Sequence, residues 1–310
     1  MMIEINQLVK RYDTLVALNH VDLQVAEGEI LGLLGPNGSG KTTAIHCMLS
    51  LLRFDKGSIQ LFGQQMTADN YAVKARIGIV PQEIAVFEEL TVYENIDYFC
   101  GLYVPDKKKR QSLISEVVAL VGLETFTSFY PHALSGGLKR RLNIACGIAH
   151  KPDLIFLDEP TVAVDPQSRN KILESIKALN QSGATIVYTT HYMEEVELLC
   201  DRIVIMDQGQ VIAKGTKEEL KDMVRTSDRL TIDIPFLPEE VRKKIKAQLS
   251  FEDMRYVDGV LSVTSTHLKD DLLPILTILQ EANLTYGKIS TKEATLNDVF
   301  LEITGKALRD

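Results

Sequence analysis

The chain has 310 residues, which matches about two domains at the usual ~150 residues each and can bury a substantial core without disulfide or metal staples. It carries 34 Lys+Arg against 42 Asp+Glu, a net charge of −8, which disfavours a nucleic-acid binder that works by broad charge attraction. Hydrophobic content of 45% and charged content of 25% fit an ordinary globular chain, no apolar run approaches the ~18 residues of a membrane span, and the start, MMIEINQLVKRY, has no signal-peptide pattern. Cys47, Cys100, Cys146 and Cys200 are scattered with no CxxC pair, as for reduced thiols in a cytosol. A soluble, intracellular chain is expected.

Short apolar runs alternate with helical-period segments over residues 1–225, the mark of an α/β domain. Ile30–Leu34 is an apolar strand entering a Gly-rich turn, followed by a helix with Ala44, Ile45, Met48, Leu49 and Leu52 at helical spacing. Ser58–Phe62 reads as a short antiparallel strand and Arg76–Val80 as another strand, cut by Pro81. Residues of about 83–150 form a mostly helical insert, which ends in a helix from Ser135 to Ala149. Leu154–Leu157 is a strand buried on both faces. Asp165 and Pro166 open a helix as N-cap and first helical residue, and Gly183 lies just past its end. Thr185–Thr190 and Ile203–Met206 are further strands, the latter running into the turn Asp207-Gln208-Gly209.

From residue 226 the pattern changes, so the domains are expected at 1–225 and 226–310. Strand Leu230–Ile234, helix Pro238–Leu249, strands near Met254–Val257 and Val260–Thr264, helix Leu268–Asn283 and strand Thr285–Ile289 follow in order. That β-α-β-β-α-β sequence predicts a small α+β domain of ferredoxin-like type.

Three segments carry chemistry. Gly35-Pro36-Asn37-Gly38-Ser39-Gly40-Lys41-Thr42 matches GxxxxGK[ST] between a strand and a helix, with Thr43 next in line. Its glycines let backbone N–H groups curl around phosphate oxygens at a helix N-terminus, Lys41 reaches the β/γ-phosphates, and the Thr42 hydroxyl suits Mg²⁺. Leu154-Ile-Phe-Leu-Asp158-Glu159 is an apolar strand ending in two carboxylates at the sheet edge where a nucleotide lies. Asp158 suits the Mg²⁺ shell, and Glu159 can polarise an attacking water as general base. Leu134-Ser135-Gly136-Gly137-Leu138 places an N-cap serine before two glycines at a helix start, a second anion site that one nucleotide in one subunit does not need.

With these segments in order, residues 2–220 resemble the ATP-binding cassette (ABC) ATPases. The resemblance implies a P-loop domain with a parallel core sheet, an antiparallel sub-sheet and a helical insert, and it implies ATP as ligand with Mg²⁺. It also implies head-to-tail dimerisation, as a homodimer or heterodimer, with Ser135, Gly136 and Gly137 closing over the γ-phosphate held by the other subunit. Tyr12, in Lys10-Arg-Tyr-Asp13, looks like the aromatic that stacks on adenine; a half-buried strand tyrosine is the alternative. Gln82 resembles the loop glutamine that touches Mg²⁺ and reports to a membrane partner, His191 resembles the switch histidine beside the γ-phosphate, and Asp165 resembles the D-loop aspartate while serving as an N-cap.

Two positions depart from the family pattern: Leu138 stands where glutamine is frequent, and Val162-Ala163-Val164 replaces a small residue, glycine and leucine. Neither removes a phosphate or metal ligand, but the altered D-loop leaves the tightness of coupling between two ATP sites open. The segment from Ala294 to Gly305 is similar to the C-terminus of ABC-2-type exporter ATPases of the drug-resistance kind, or is a closing helix of the small domain. The resemblance implies a separate ABC-2-type membrane permease that forms the transport path, no nucleic-acid partner, and residence on the cytoplasmic face of the membrane. An importer ATPase and a soluble, non-transport ABC protein are the alternatives, and a P-loop GTPase is disfavoured because Asn170-Lys171 continues Ile-Leu. Lys107-Lys-Lys-Arg110 is a solvated face or a lipid-headgroup contact, and Phe87, Tyr93 and Phe99 are partner contacts or the insert's own core.

Overall fold

The computed structural model describes residues 1–223, 228–249, 251–265, 268–292 and 295–304. The chain divides into two compact units, Met1–Lys217 and a second beginning at Glu218. The division falls a few residues before the expected boundary at 225/226, which itself lies outside the described residues.

The first unit holds two sheets. One is antiparallel, in the order β2 (Leu15–Val25), β1 (Ile3–Tyr12), β4 (Lys56–Leu61), β5 (Gln64–Gln65). The other runs β10 (Gln210–Gly215), β9 (Arg202–Asp207), β3 (Ile30–Leu34), β8 (Thr185–Thr190), β7 (Leu154–Asp158), β6 (Ile77–Val80), parallel from β9 to β6 with β10 antiparallel at the edge. Every residue of β3, β7 and β8 is buried, as a sheet covered on both faces requires. Helix α1 (Lys41–Met48) contributes Ala44, Ile45, Cys47 and Met48 to one apolar cluster, which also takes Ile5, Leu8 and Leu18 from the first sheet and Leu31, Leu33 and Phe156 from the second. A short helix, α2 (Tyr71–Lys74), precedes β6. Strands β1 and β2, which the apolar pattern does not announce, form a long bulged hairpin whose Tyr12↔Leu15 pair closes its tip.

The parallel register decides where the chemistry-bearing residues go. Leu34 pairs with Thr190, Asp158 with Thr189, and Val80 with Leu157. The segments after β3, β7, β8 and β6 therefore emerge side by side at one carboxyl edge, the crevice where open α/β sheets bind ligands.

The insert contains α3 (Val92–Gly101), α4 (Lys107–Val121) and α5 (Gly136–Ile148). A reciprocal box of Thr91 and Glu94 caps α3, and Asp106 caps α4. Helix α5 seats on β6 through a close glycine contact. A Cβ on Gly78 would stand 2.6 Å from the Gly147 carbonyl oxygen, and a Cβ on Gly147 would run into the Ile79 carbonyl oxygen and stand 2.8 Å from Val80 Cγ2. Helices α6 (Pro166–Gln181) and α7 (Met193–Leu199) complete the unit, and α8 (Lys217–Met223) follows. Asp165 accepts a hydrogen bond from Ser168 N (2.9 Å) as the N-cap of α6, with Pro166 at its first position.

The second unit is β11 (Asp228–Asp233), α9 (Glu239–Gln248), β12 (Asp253–Val257), β13 (Val260–Ser265), α10 (Leu268–Glu281), β14 (Ile289–Lys292) and α11 (Leu296–Thr304). Its sheet order, β12-β13-β11-β14 with every pair antiparallel, is that of a ferredoxin-like domain. The last strand does not lie at Thr285–Ile289. Ile289↔Ile232 begins the ladder, and the residues before it enter through two backbone bonds to Asp233, from Gly287 N (2.7 Å) and to Lys288 O (3.0 Å). Leu296, Val299 and Phe300 bury one face of α11, while Ala294 and Gly305 lie outside the described residues.

Because the atoms facing Gly147 are mainly backbone, Gly147→Ala cannot be absorbed by a side-chain rotation. Urea unfolding of this variant is expected to show a loss of about 1–3 kcal/mol, the usual cost of overpacking; unchanged stability would mean that α5 does not sit on β6 this closely.

Candidate functional site: a phosphate cradle and its carboxylates

The loop after β3 turns on Gly38 (φ 81°) and Gly40 (φ 104°), backbone conformations that favour glycine. A Cβ on Gly40 would lie 2.8 Å from the Ala17 carbonyl oxygen, so the loop packs tightly against β2, whereas nothing stands within 4 Å of a Cβ on Gly38. No side chain caps α1 and no acid lies in its first turn, so its N-terminal N–H groups remain as donors toward an anion. Lys41 is buried and folds back on the loop, donating to the carbonyl oxygens of Gly35 (2.8 Å) and Pro36 (3.2 Å). Burial lowers its pKa, against the pull of Glu159 and Asp158.

Glu159 lies one residue beyond β7, with φ 47°, a left-handed conformation that a non-glycine residue adopts at a cost of about 1–2 kcal/mol. Its N–H is held by Thr189 Oγ1 (2.9 Å), and the same hydroxyl donates to Asp158 Oδ1 (2.6 Å). So fixed, the Glu159 carboxylate meets three groups: Lys41 Nζ at 3.4 Å, Gln82 Nε2 at 3.3 Å and His191 Nδ1 at 3.5 Å. The histidine contact has ion-pair range without hydrogen-bond geometry. Sequence reasoning missed Thr189 because nothing distinguishes it from a structural strand threonine.

A cleft of about 780 Å³ opens over this edge, lined by Tyr12, Asn37, Gly38, Gly40, Lys41, Thr42, Thr43, Gln82 and Glu159. Tyr12, the last residue of β1, is 44% exposed there, with Lys10 Nζ 5.0 Å from its ring centroid. Leu15, Val16, Ala17, Gln208 and Gly209 also line the cleft and were not singled out from the sequence. The Ser39 hydroxyl is buried and makes no hydrogen bond among the described residues. With the open turn at Gly38 and the uncapped helix, this orphan fits an anion in the cradle. The hydroxyl of Thr42, the amide of Gln82 and the carboxylate of Asp158 are the hard oxygen donors that Mg²⁺ takes.

Gln82 is placed from behind by α5. Arg140 Nη1 donates to the Gln82 carbonyl oxygen (2.7 Å), and Asn143 Nδ2 donates to the Pro81 carbonyl oxygen (3.2 Å) while its Oδ1 accepts from Ala85 N (3.0 Å). Neither residue was flagged from the sequence. At the N-terminus of α5, Ser135 is the N-cap, accepting from Leu138 N (3.3 Å). It borders a second cleft, of about 560 Å³, with Leu138, Arg141, Asp165, Ser168 and Lys171; the two clefts share no residue. Ala163 has φ 58°, so the alanine in the glycine position of the D-loop keeps the left-handed turn under strain.

Fold and site together define a P-loop ATPase. The chain belongs to the ABC transporter ATP-binding family, and it hydrolyses ATP. The ABC transporter family model matches residues 18–162. Over 311 residues the chain is 35% identical to the linearmycin resistance ATP-binding protein LnrL of Bacillus subtilis, covering all of both chains. It is 35% identical to the daunorubicin/doxorubicin resistance ATP-binding protein DrrA of Streptomyces peucetius, covering 99% of this chain and 94% of that one. It is 34% identical to the Nod factor export ATP-binding protein I of Burkholderia thailandensis, covering 99% and 98%. Among solved structures it is similar to an ATP-binding subunit of an ABC transporter (TM-score 0.66, 27% identity, 72% of this chain and 93% of that one). It is also similar to a dimeric, post-hydrolysis ATP-binding cassette bound to ADP and Pi (TM-score 0.64, 28% identity, 69% and 98%).

The two glycines that follow Ser135 differ in their surroundings. Gly136 faces open space, whereas a Cβ on Gly137 would run into Ser168 and stand 2.9 Å from Asp165 Oδ2. Thermal unfolding should leave Gly136→Ala at or above the parent's stability and should lower Gly137→Ala by about 1–3 kcal/mol. Equal effects of the two would contradict the packing of α5 on the α6 N-terminus.

Proposed function

We propose that the chain is the ATP-hydrolysing subunit of an exporter that moves a small molecule of drug or antibiotic type through a separate ABC-2-type permease. The observation that carries this reading is that similarity to ATP-binding proteins named for drug resistance and export runs the whole length of the chain, through both units. Among the described residues no helix is long and apolar enough to cross a membrane, which accords with a transport path in another polypeptide, the chain itself working at the cytoplasmic face.

In this reading Tyr12 stacks on adenine, and residues Gly35 to Thr43 with the α1 N-terminus wrap the phosphates, Lys41 reaching the β/γ oxygens. Thr42, Gln82 and Asp158 hold Mg²⁺, which when bound neutralises charge on the transferring phosphoryl group. Glu159 orients and deprotonates the attacking water, and His191 contacts the γ-phosphate. Asp165 and the Ser135–Gly137 segment act on the nucleotide of a second subunit, identical or homologous, so that two ATP molecules are enclosed by two chains. The dimeric form of the similar cassettes supports this.

Residues 1–225 form the ATP-binding domain and 226–310 a domain that affects dimerisation or partner coupling. The permease docks beside the Gln82 loop, where Phe87, Tyr98 and Phe99 form one ring cluster, with Phe87 and Tyr98 exposed. Tyr93 is exposed on the same helix, so these aromatics are not all insert core. Of the basic run, Lys107 to Lys109 are solvated, while Arg110 is bound to Asp97 (2.6 Å).

Two measurements test this. Lys41→Ala should weaken ATP binding by about ten- to a hundredfold, the worth of a charge-assisted hydrogen bond; unchanged affinity would contradict the cradle. The tagged chain, recovered from gently solubilised host membranes, should bring a small polytopic membrane protein whose deletion sensitises the host to a drug. Recovery with a solute-binding import system, or with ribosomes and no membrane protein, would overturn the export reading.

A further inference from the structure

The backbone on both sides of His191 is tied to one buried carboxylate. Glu195, on α7, is almost wholly buried and accepts from Tyr188 Oη (2.7 Å) and Thr190 Oγ1 (2.9 Å). The Thr190 oxygen in turn accepts from Tyr192 N (2.9 Å), and Glu195 N donates to the Tyr192 carbonyl oxygen (3.2 Å). Burial and the Glu195 charge push the Tyr188 phenol well up, so that phenol stays a donor. The remaining Glu195 oxygen is paired with Arg169 Nε at 2.6 Å.

Arg169 sits on α6, one turn beyond the N-cap Asp165, and its guanidinium lies 4.6 Å from the centroid of the Tyr192 ring. That ring packs against the His191 imidazole, centroid to centroid 4.1 Å. Neither Arg169 nor Glu195 lines the nucleotide cleft. An almost fully buried carboxylate with three partners is costly to assemble and holds its neighbours in one arrangement.

We propose that Arg169, Tyr192 and Glu195 are positioning residues for ATP hydrolysis: they set the orientation of the His191 imidazole and tie it to the helix that Asp165 caps. Arg169 clamps Glu195 with its Nε and Tyr192 with its guanidinium face, Glu195 fixes Thr190 and the Tyr192 backbone, and the Tyr192 ring backs the imidazole. The proposal rests on the reading of His191 as a γ-phosphate contact. It extends that reading to residues that touch neither nucleotide nor metal.

Glu195→Ala would leave the Tyr188 phenol buried without its strongest partner and is a poor probe, because it can fail to fold. Arg169→Ala and Tyr192→Ala alter partly exposed residues and keep that hydrogen bond. The experiment measures steady-state ATP hydrolysis of the full-length chain, with KM and thermal unfolding, for Arg169→Ala, Tyr192→Ala, Tyr192→Phe, His191→Ala and both alanine changes combined with His191→Ala.

The account predicts that kcat falls about tenfold in Arg169→Ala and Tyr192→Ala with KM within about twofold of the parent, the signature of lost orientation rather than lost binding. Tyr192→Phe keeps the ring and should restore turnover. In the His191→Ala background both alanine changes should have no further effect, because residues acting through one group are non-additive. Parent-level kcat in Arg169→Ala and Tyr192→Ala beside a slow His191→Ala would overturn this proposal alone, and so would a loss that persists in full without the imidazole. Parent-level turnover in His191→Ala would remove the reading beneath it, and the proposal with it.

Discussion

One carboxylate organises the site. Glu159 reaches Lys41, Gln82 and His191 from a single rotamer, and those three residues come from three different chain segments. It can do so only because its backbone adopts a left-handed conformation just past β7, an arrangement pinned by the Thr189 hydroxyl that also holds Asp158. A strained backbone at Glu159 is what a site that must present one carboxylate in one place tends to keep. The sheet register supplies the rest, since the pairing of Asp158 with Thr189 and of Leu34 with Thr190 brings the acids, the P-loop and the His191 strand to one edge.

Helix α5 does two things, one from its interior and one from its N-terminus. Its interior holds the Gln82 loop through Arg140 and Asn143, and its N-terminus, capped by Ser135, opens onto a cleft that shares nothing with the one over Lys41. Ser135 takes up the Leu138 N–H, and the helix start lies away from the chain's own phosphate cradle, which accords with the proposal that it serves an anion held by another copy or a homologue. The close glycine contacts at Gly78 and Gly147 seat the C-terminal end of this helix on β6.

Much of this was legible in the sequence because the informative residues obey local rules. Gly35 to Thr42 sits between an apolar strand and a helix, Asp165-Pro166 announces a helix start, and the run from Leu154 ends in two acids at a buried strand's carboxyl end. The residues that escaped act through long-range pairing. Thr189, Arg140, Asn143 and Glu195 have partners 26 or more residues away, except for local bonds of Glu195, and no periodicity marks them. Strands β1 and β2 escaped because their bulges break the alternation of period two. The last strand of the second unit was placed too early because its ladder begins only at Ile289, after an irregular pair of bonds at Asp233.

The most direct test of the central role of Glu159 is the steady-state turnover of Glu159→Gln beside its equilibrium binding of ATP with Mg²⁺. The account predicts that turnover falls by at least about a hundredfold, the usual effect of losing a general base, while ATP still binds and holds two chains together as a stable dimer. Turnover near that of the parent chain would contradict it.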